Sequence, residues 1–474
     1  MALKTGALII AADNKKREKP IYMCEALSLP LISYVKSYAE KADAEKTAII
    51  TESDSSGVEA IKGDSRVFVS PDAENDSDFL LAADGFADEF DYVYVLYGNV
   101  PLMSGNSLKN ALSLCVNEGN EAAAVFSRQP NGEDVTGAYV FSSKKLMTLI
   151  KNGASRSAEE LFRACDKKTR FQTDCRCETS AVYDMCSLHE ISETVRLREI
   201  EHQLDCGVNI PCFDGVMISP NVKIGEGTLI LPGTILRGNV TIGKNCTVGP
   251  NTLLHNTTVG DDAYLNSVQS FDARIMSGVN IGPFVHIRPN SVIGEKVHLG
   301  NFVEVKNSNI DTGTKVSHLT YVGDSDVGKR VNFGCGTVTV NYTGKAKFRT
   351  TIGDDAFIGC NTNLVAPVTV GDGAYTAAGS TITEDVPGDS LGIARARQVN
   401  KIGWCLKDSR SEKQWSAEGA AGSRPRCEGF SCVPYCSSFG YDSLRRNRSS
   451  ASGVFSSVRT AWTSRIMSPS ASDC

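Results

Sequence analysis

A strict period of six constrains this chain more than any other feature. Reading every sixth residue from Ile224 gives Ile230, Leu236, Ile242, Val248 and Leu254 without a miss. A second ladder runs Ile281, Ile287, Ile293, Leu299, Val305, and a third Ile352, Ile358, Leu364, Val370, continuing to Thr376 and Ile382. Glycine commonly follows the ladder residue, as at Gly225, Gly243, Gly282, Gly294, Gly353 and Gly371. Neither an α/β protein nor a β-sandwich needs this spacing. A parallel β-helix does, because three six-residue strands make one triangular coil, the aliphatic residue points inward and small residues let the corners turn. The repeat therefore predicts a left-handed parallel β-helix over 206–404. The stretch Val331–Thr351 breaks the period, which predicts a loop projecting from one face, where solenoids commonly bind ligands.

The chain is 474 residues long, so the β-helix is one unit of two or three. Residues 5–142 alternate short β-rich runs with helical stretches: strands are expected at Ala7–Ala12, Thr47–Thr51, Arg66–Val69, Tyr92–Leu96, Ala122–Phe126 and Ala138–Phe141, helices at Leu31–Lys41 and Ser107–Asn117. That alternation predicts an open, Rossmann-like α/β sheet. Leu188, Ile191, Val195 and Ile200 recur at helical intervals and predict an arm between the domains. The expected organisation is an α/β domain over 1–185, a helical arm over 186–205, the β-helix, and a tail over 405–474. The tail is Ser- and Arg-rich, has no repeat, and reads as disordered.

Composition excludes more than it proposes. A net charge of −6 with 22% charged residues offers no basic tract for nucleic acid. No run of 18 apolar residues exists, so no membrane-spanning helix is expected. The apolar Gly6–Ala12 gives way at once to Asp13-Asn14-Lys15-Lys16-Arg17, which reads as a buried first strand and places the protein in the cytoplasm. Sixteen cysteines are scattered without framework spacing and read mainly as small buried hydrophobes. Cys427, Cys432 and Cys436 cluster, but no histidine beyond His318 completes a zinc set, so no metal site is expected.

Several motifs lie outside the generic repeat: Phe302-Val303-Glu304-Val305-Lys306, His318-Leu319-Thr320-Tyr321-Val322-Gly323-Asp324, Val331-Asn332-Phe333-Gly334-Cys335-Gly336-Thr337, Asn341-Tyr342-Thr343-Gly344, and Leu364-Val365-Ala366-Pro367. With them the β-helix resembles the acetyltransferase half of the bacterial bifunctional N-acetylglucosamine-1-phosphate uridyltransferase/glucosamine-1-phosphate acetyltransferase family. The resemblance implies acetyl transfer from acetyl-CoA to an amino-sugar phosphate, within a homotrimer whose sites lie between neighbouring β-helices. An amine attacks a thioester only when neutral, and His318 suits the base that takes its proton. Arg288 and Lys306 match the clamp on the sugar phosphate; Tyr321, Asn332 and Lys347 match positions that hold the sugar. Asn341, Tyr342, Ala378 and Arg395 match coenzyme contacts. Cys335 and Cys360 stand at two more such positions, where the family usually carries Ala and Ser. A γ-type carbonic anhydrase is the rival reading of the same coil, but His286, His298 and His318 do not reproduce its ligand spacing.

The first domain departs from the family. The glycine-rich nucleotide loop is reduced to Ile10-Ala11-Ala12-Asp13-Asn14-Lys15-Lys16-Arg17 with both glycines gone. The lysine expected after Pro20 is Ile21, and the metal-binding aspartate is Asn99, a weaker Mg²⁺ ligand than a carboxylate. The second metal ligand aligns with Tyr183 or Asp184. A nucleotide motif is missing near Pro71–Leu81, and a sugar-embracing stretch is missing between Arg128 and Thr136. These losses predict an acetyltransferase whose first domain no longer transfers uridylyl groups, with Mg²⁺ needed only if it does. The alternatives are a still bifunctional enzyme and a non-catalytic trimeric scaffold.

Overall fold

The computed structural model describes residues 3–404 apart from 14–16, 18, 53–55 and 154–155. The expected tail and its cysteine cluster lie outside the described residues, as do residues 14–16 of the altered nucleotide loop. Met1–Arg397 make one compact unit. Residues 398–404 belong to a second, in which the Lys401 ammonium sits 5.2 Å from the Trp404 ring.

The α/β domain is built on seven strands: β1 (Thr5–Ala11), β2 (Lys46–Thr51), β3 (Arg66–Val69), β4 (Tyr92–Tyr97), β5 (Ala122–Arg128), β6 (Asp134–Ser142) and β7 (Lys168–Gln172), in the spatial order β3-β2-β1-β4-β6-β5-β7. The sheet is parallel except where β6 runs antiparallel to β4 and β5. Every residue of β1 is buried, as a strand covered on both faces requires. Leu8, Ile10 and Val95 face one apolar layer and Ala7, Ile9 and Leu96 the other. The edge strand β7 is the element that sequence reasoning missed: Lys-Thr-Arg-Phe-Gln buries too little to stand out.

A 21-residue helix, Met185–Asp205, joins the two domains. Its N-terminus is fixed by a capping box between Asp184 and Ser187. Ile191 and Val195 pack with Ile21, Leu31, Leu102 and Val182 of the α/β domain, while Ile200 packs into the β-helix core. Ser219 in the first coil donates its hydroxyl to the Leu27 carbonyl at 2.8 Å.

Beyond the helix the chain winds into three parallel sheets of ten, nine and ten short strands, the left-handed parallel β-helix that the ladder predicts. Ile230, Leu236, Val248, Ile281, Ile287, Ile293, Leu299 and Val305 are fully buried along its axis. Each such side chain contributes about 1.5–3 kcal/mol of apolar burial. The ladder changes phase wherever one step is five residues, as from Leu254 to Val259 and from Val305 to Ile310, and the register pairs shorten from 18 to 17 or 16 residues there. The corners carry left-handed residues. Gly336 has φ of 75° and is packed against the Asn361 side chain, leaving no room for a β-carbon. The predicted 331–351 projection is narrower than expected: Asn332–Phe333, Val338–Val340 and Thr350–Ile352 all remain coil strands. Only 341–349 leaves the coil.

Candidate functional site

The strands Glu304–Lys306 and Tyr321–Gly323 are consecutive rungs of one sheet, with Lys306 opposite Gly323. One rung earlier Ile287 pairs with Val305, which places Arg288 directly before Lys306 in the stack. Arg288 donates to Glu304 at 2.9 Å from a half-exposed position. Lys306 turns its ammonium to Asp324, 3.6 Å away. Asp324, 5% exposed, is the centre of this corner. It accepts from the Asn307 side chain at 2.5 Å and from the Asn341 amide. Burial pushes its acidity toward the neutral form, but those two hydrogen bonds and the charges of Lys306 and Lys347 outweigh it and hold the carboxyl below its ordinary range.

The excursion 341–349 is fastened to this corner at both roots. Asn341 binds Asp324 at the start, and the Thr350 amide donates to the Asp324 carbonyl at 3.1 Å at the end. Arg349 forks onto Asp326 and reaches the carbonyls of Asn307 at 3.1 Å and Ser325 at 3.0 Å. Between the roots Tyr342 pairs with Lys347 in an antiparallel bridge, with both side chains exposed. Tyr321 ties the strand to the excursion. Its hydroxyl lies 3.4 Å from the Asn341 Nδ2, and its ring covers Gly323 so closely that an added methyl would meet Cζ at 2.5 Å.

His318 stands on the adjoining face, ahead of the corner residues Leu319 and Thr320 that lead into Tyr321. It closes the strand Lys315–His318 and is exposed. The register Lys315↔Asn332↔Phe357↔Tyr375 stacks four coils. Three residues on from each lie His318, Cys335, Cys360 and Ala378, so one predicted base and three predicted coenzyme contacts form a single column along one edge. The ladder bonds Asn361 N–H to Cys335 C=O at 2.7 Å and Gly379 N–H to Cys360 C=O at 2.8 Å keep the coils in step. The Arg395 Cδ lies 3.8 Å from where a Gly379 β-carbon would sit. Asn332 is on the face adjoining that of Tyr321.

One chain thus brings Lys306, Asn341 and the charge of Lys347 to Asp324, with Tyr321 beside Asn341, Tyr342 bridged to Lys347 and Arg288 one rung before Lys306, and sets the His318 column and Asn332 across the edge. Asp324, Asn307 and Arg349 were missed as individual residues. The signal was two lysines, 306 and 347, with no counter-charge assigned. The three histidines of the rival reading divide between sheets, His286 on one and His298 on another. No group of three metal-ligating side chains occurs among the described residues.

The α/β domain has a cleft of about 480 Å³ at the ends of β1 and β4, lined by Asp13, Arg17, Asn75, Tyr97, Asn99 and Tyr183 among others. Asp13 is buried and receives both its oxygens' bonds from one Arg17 nitrogen at 2.8 Å. A further Asp13 oxygen contact comes from the Ile21 amide at 2.9 Å. Arg17 also donates to the Tyr183 carbonyl at 2.6 Å. Asn99 donates to the Val182 carbonyl at 3.0 Å, and Asp184 is engaged as the helix cap. No helix among the described residues is long and apolar enough to cross a membrane.

The model of the family described as bacterial transferase hexapeptide (six repeats) matches residues 221–256, 272–307 and 349–384. The chain is 42% identical over 351 residues to the bifunctional protein GlmU of Clostridium perfringens strain SM101, covering 66% of this chain and 77% of that one. It is 34% identical over 455 residues to the bifunctional protein GlmU of Caldicellulosiruptor saccharolyticus, covering 86% of this chain and 98% of the relative. Among solved structures, the 4-diphosphocytidyl-2C-methyl-D-erythritolsynthase from Anaerococcus prevotii aligns over 41% of this chain and 98% of its own, with 9% identity and a TM-score of 0.33.

Proposed function

Because this chain belongs to the bifunctional GlmU family, we propose that it transfers the acetyl group of acetyl-CoA to the amine of glucosamine 1-phosphate. The observation that carries this reading is the His318–Cys335–Cys360–Ala378 column running beside a cationic corner made by Arg288, Lys306 and Lys347. A thioester lying along the column brings its carbonyl to the imidazole edge, and a sugar phosphate held at the corner brings its amine toward it.

His318 takes the proton as the sugar nitrogen attacks the thioester carbon. The N–C bond forms, the C–S bond breaks, and the imidazolium returns the proton to the departing CoA sulfur. Arg288, Lys306 and Lys347 hold the phosphate through charge-assisted hydrogen bonds. Tyr321 and Asn332 orient the sugar, while Asn341, Tyr342 and Arg395 line the coenzyme with the two cysteines and Ala378. This half-reaction asks nothing of a metal. The product, N-acetylglucosamine 1-phosphate, feeds UDP-N-acetylglucosamine synthesis.

A homotrimer completes the site. Phe284, Phe302 and Leu319 are more than half exposed, and all three have positive φ, a conformation unfavourable for bulky residues. Phe284 and Phe302 stack at 5.4 Å. Solvent gives such an apolar corner no support; a neighbouring β-helix does.

In the α/β domain, Asp13 occupies the loop where phosphates would approach and spends Arg17, and Asp184 serves as a cap. These contacts do not fit a Mg²⁺–nucleotide site, which supports an acetyltransferase without uridylyl transfer. The second reading, a bifunctional enzyme, is favoured by similarity that extends across 98% of a bifunctional relative.

A thiol-release assay with acetyl-CoA against a panel of amino sugars and their phosphates tests the proposal. Turnover with glucosamine 1-phosphate supports it; turnover with none refutes it. Consumption of UTP with N-acetylglucosamine 1-phosphate and Mg²⁺ would instead establish the bifunctional reading.

A further inference from the structure

Cys335 and Cys360 occupy the same register position on successive coils, three residues beyond the paired Asn332 and Phe357. Adjacent strands lie about 4.8 Å apart, inside the 4.4–6.8 Å range of Cα separations that a disulfide spans. The coils are in contact here as well as in register: the Asn361 amide donates to the Cys335 carbonyl at 2.7 Å, one residue past the second cysteine. Both thiols are free, Cys360 exposed and Cys335 partly exposed. Of the other described free cysteines, Cys24, Cys115, Cys165 and Cys246 are buried, while Cys186, Cys206 and Cys212 are exposed or partly exposed but share no such register with one another. No packing argument calls for two thiols at this edge, because both positions face outward rather than into the aliphatic axis.

We propose that Cys335 and Cys360 form a dithiol modification site that exchanges with small-molecule disulfides and closes to an intrachain disulfide across the acetyl-CoA wall. The dithiol rests on register and exposure alone; its effect on the enzyme rests on the coenzyme reading above. The exposed Cys360 thiolate attacks a disulfide RSSR, breaking its S–S bond and releasing RS⁻. Cys335 thiolate then attacks the Cys360 sulfur of the mixed disulfide and releases the second RS⁻. The two cysteines are oxidised, RSSR is reduced to two RSH, and the two cysteine protons pass to the released thiolates. Oxidised CoA is a fitting RSSR, since the proposed reaction liberates free CoA thiol at this same edge. The closed pair draws the two coils' side chains together under the path of the thioester and lowers acetyl-CoA affinity.

The test incubates the full chain with oxidised glutathione or oxidised CoA, with and without acetyl-CoA, and maps peptides without reduction. The expected result is a Cys335–Cys360 cross-link in most chains, reversed by dithiothreitol, with at least a tenfold weaker acetyl-CoA binding while it is closed. Cys335→Ala should stop at a mixed disulfide on Cys360, trapping the first step. If both cysteines stay as thiols, or carry separate adducts without a cross-link, the proposal is overturned. If the cross-link forms equally fast with acetyl-CoA present and leaves its binding unchanged, the dithiol stands and the coenzyme reading fails.

Discussion

Asn341 directs its side-chain amide at the carboxylate of Asp324, joining the first residue of the excursion to the corner that holds Lys306. Through that one bond the projecting loop, the cationic clamp and the Tyr321 ring share a support. Asp324 touches neither proposed substrate in this account. It positions the groups that do.

Asp324→Asn keeps the volume and removes the charge. Lys306 and Lys347 lose their counter-ion, and two amides face each other at Asn341. Turnover should fall about tenfold with a raised KM for acetyl-CoA, and stability should drop by about 1–3 kcal/mol at pH 7. Because the folded-state carboxyl is held below its ordinary value, the wild-type advantage is full above about pH 4 and fades as pH falls through the lowered folded value. Thermal melts of both proteins from pH 7 to pH 3 check this; a gap that widens in acid would contradict it.

Gly323→Ala puts a methyl against the Tyr321 ring. Gly323 does not need positive φ, so the backbone tolerates alanine and the melting temperature should move by only a few degrees. The ring must swing away, taking its hydroxyl from Asn341. Steady-state kinetics should show KM for the sugar phosphate rising several-fold, with circular dichroism unchanged.

Arg17→Ala takes the Arg17 charge away from the buried Asp13 carboxylate, which keeps the Ile21 amide. Removing one partner of a buried pair costs about 3–5 kcal/mol, and Arg17 is a quarter exposed, so the lower end applies. Differential scanning calorimetry should show the α/β domain melting earlier while acetyl transfer at the β-helix is kept. Equal loss of both would mean that the cleft supports the acetyltransferase site.

Much of the fold was legible because one chemical rule repeats. A coil axis is filled mainly by aliphatic side chains, and so Ile281–Val305 announced themselves at every sixth position. Strand β7 was not legible, since an edge strand with charged Lys168 and Arg170 carries no such rule. The site was legible where a motif named a residue, as for His318, Lys306 and Asn341. Asp324 escaped because its role exists only in three dimensions: nothing in Val322-Gly323-Asp324 shows that Asn307, Asn341 and Lys306 converge on it from three different segments. The column of His318, Cys335, Cys360 and Ala378 was hidden likewise, because the seven extra residues of the excursion put its members 17, 25 and 18 apart rather than at one interval.

Phe302→Asp tests the shared corner. Aspartate tolerates positive φ better than a bulky residue, so the coil should survive while its apolar edge is lost. Sedimentation should show the mass falling from three chains to one, with acetyl transfer lost as the seam opens. An unchanged mass would place the oligomer contact elsewhere.

Acetyl transfer as proposed depends on the His318 imidazole taking the amine's proton. His318→Ala should be compared with the wild-type chain for CoA release from acetyl-CoA and glucosamine 1-phosphate. A loss of about 10² or more in kcat is expected, with both KM values within a few-fold of wild type. A variant that turns over as fast as the parent would contradict it.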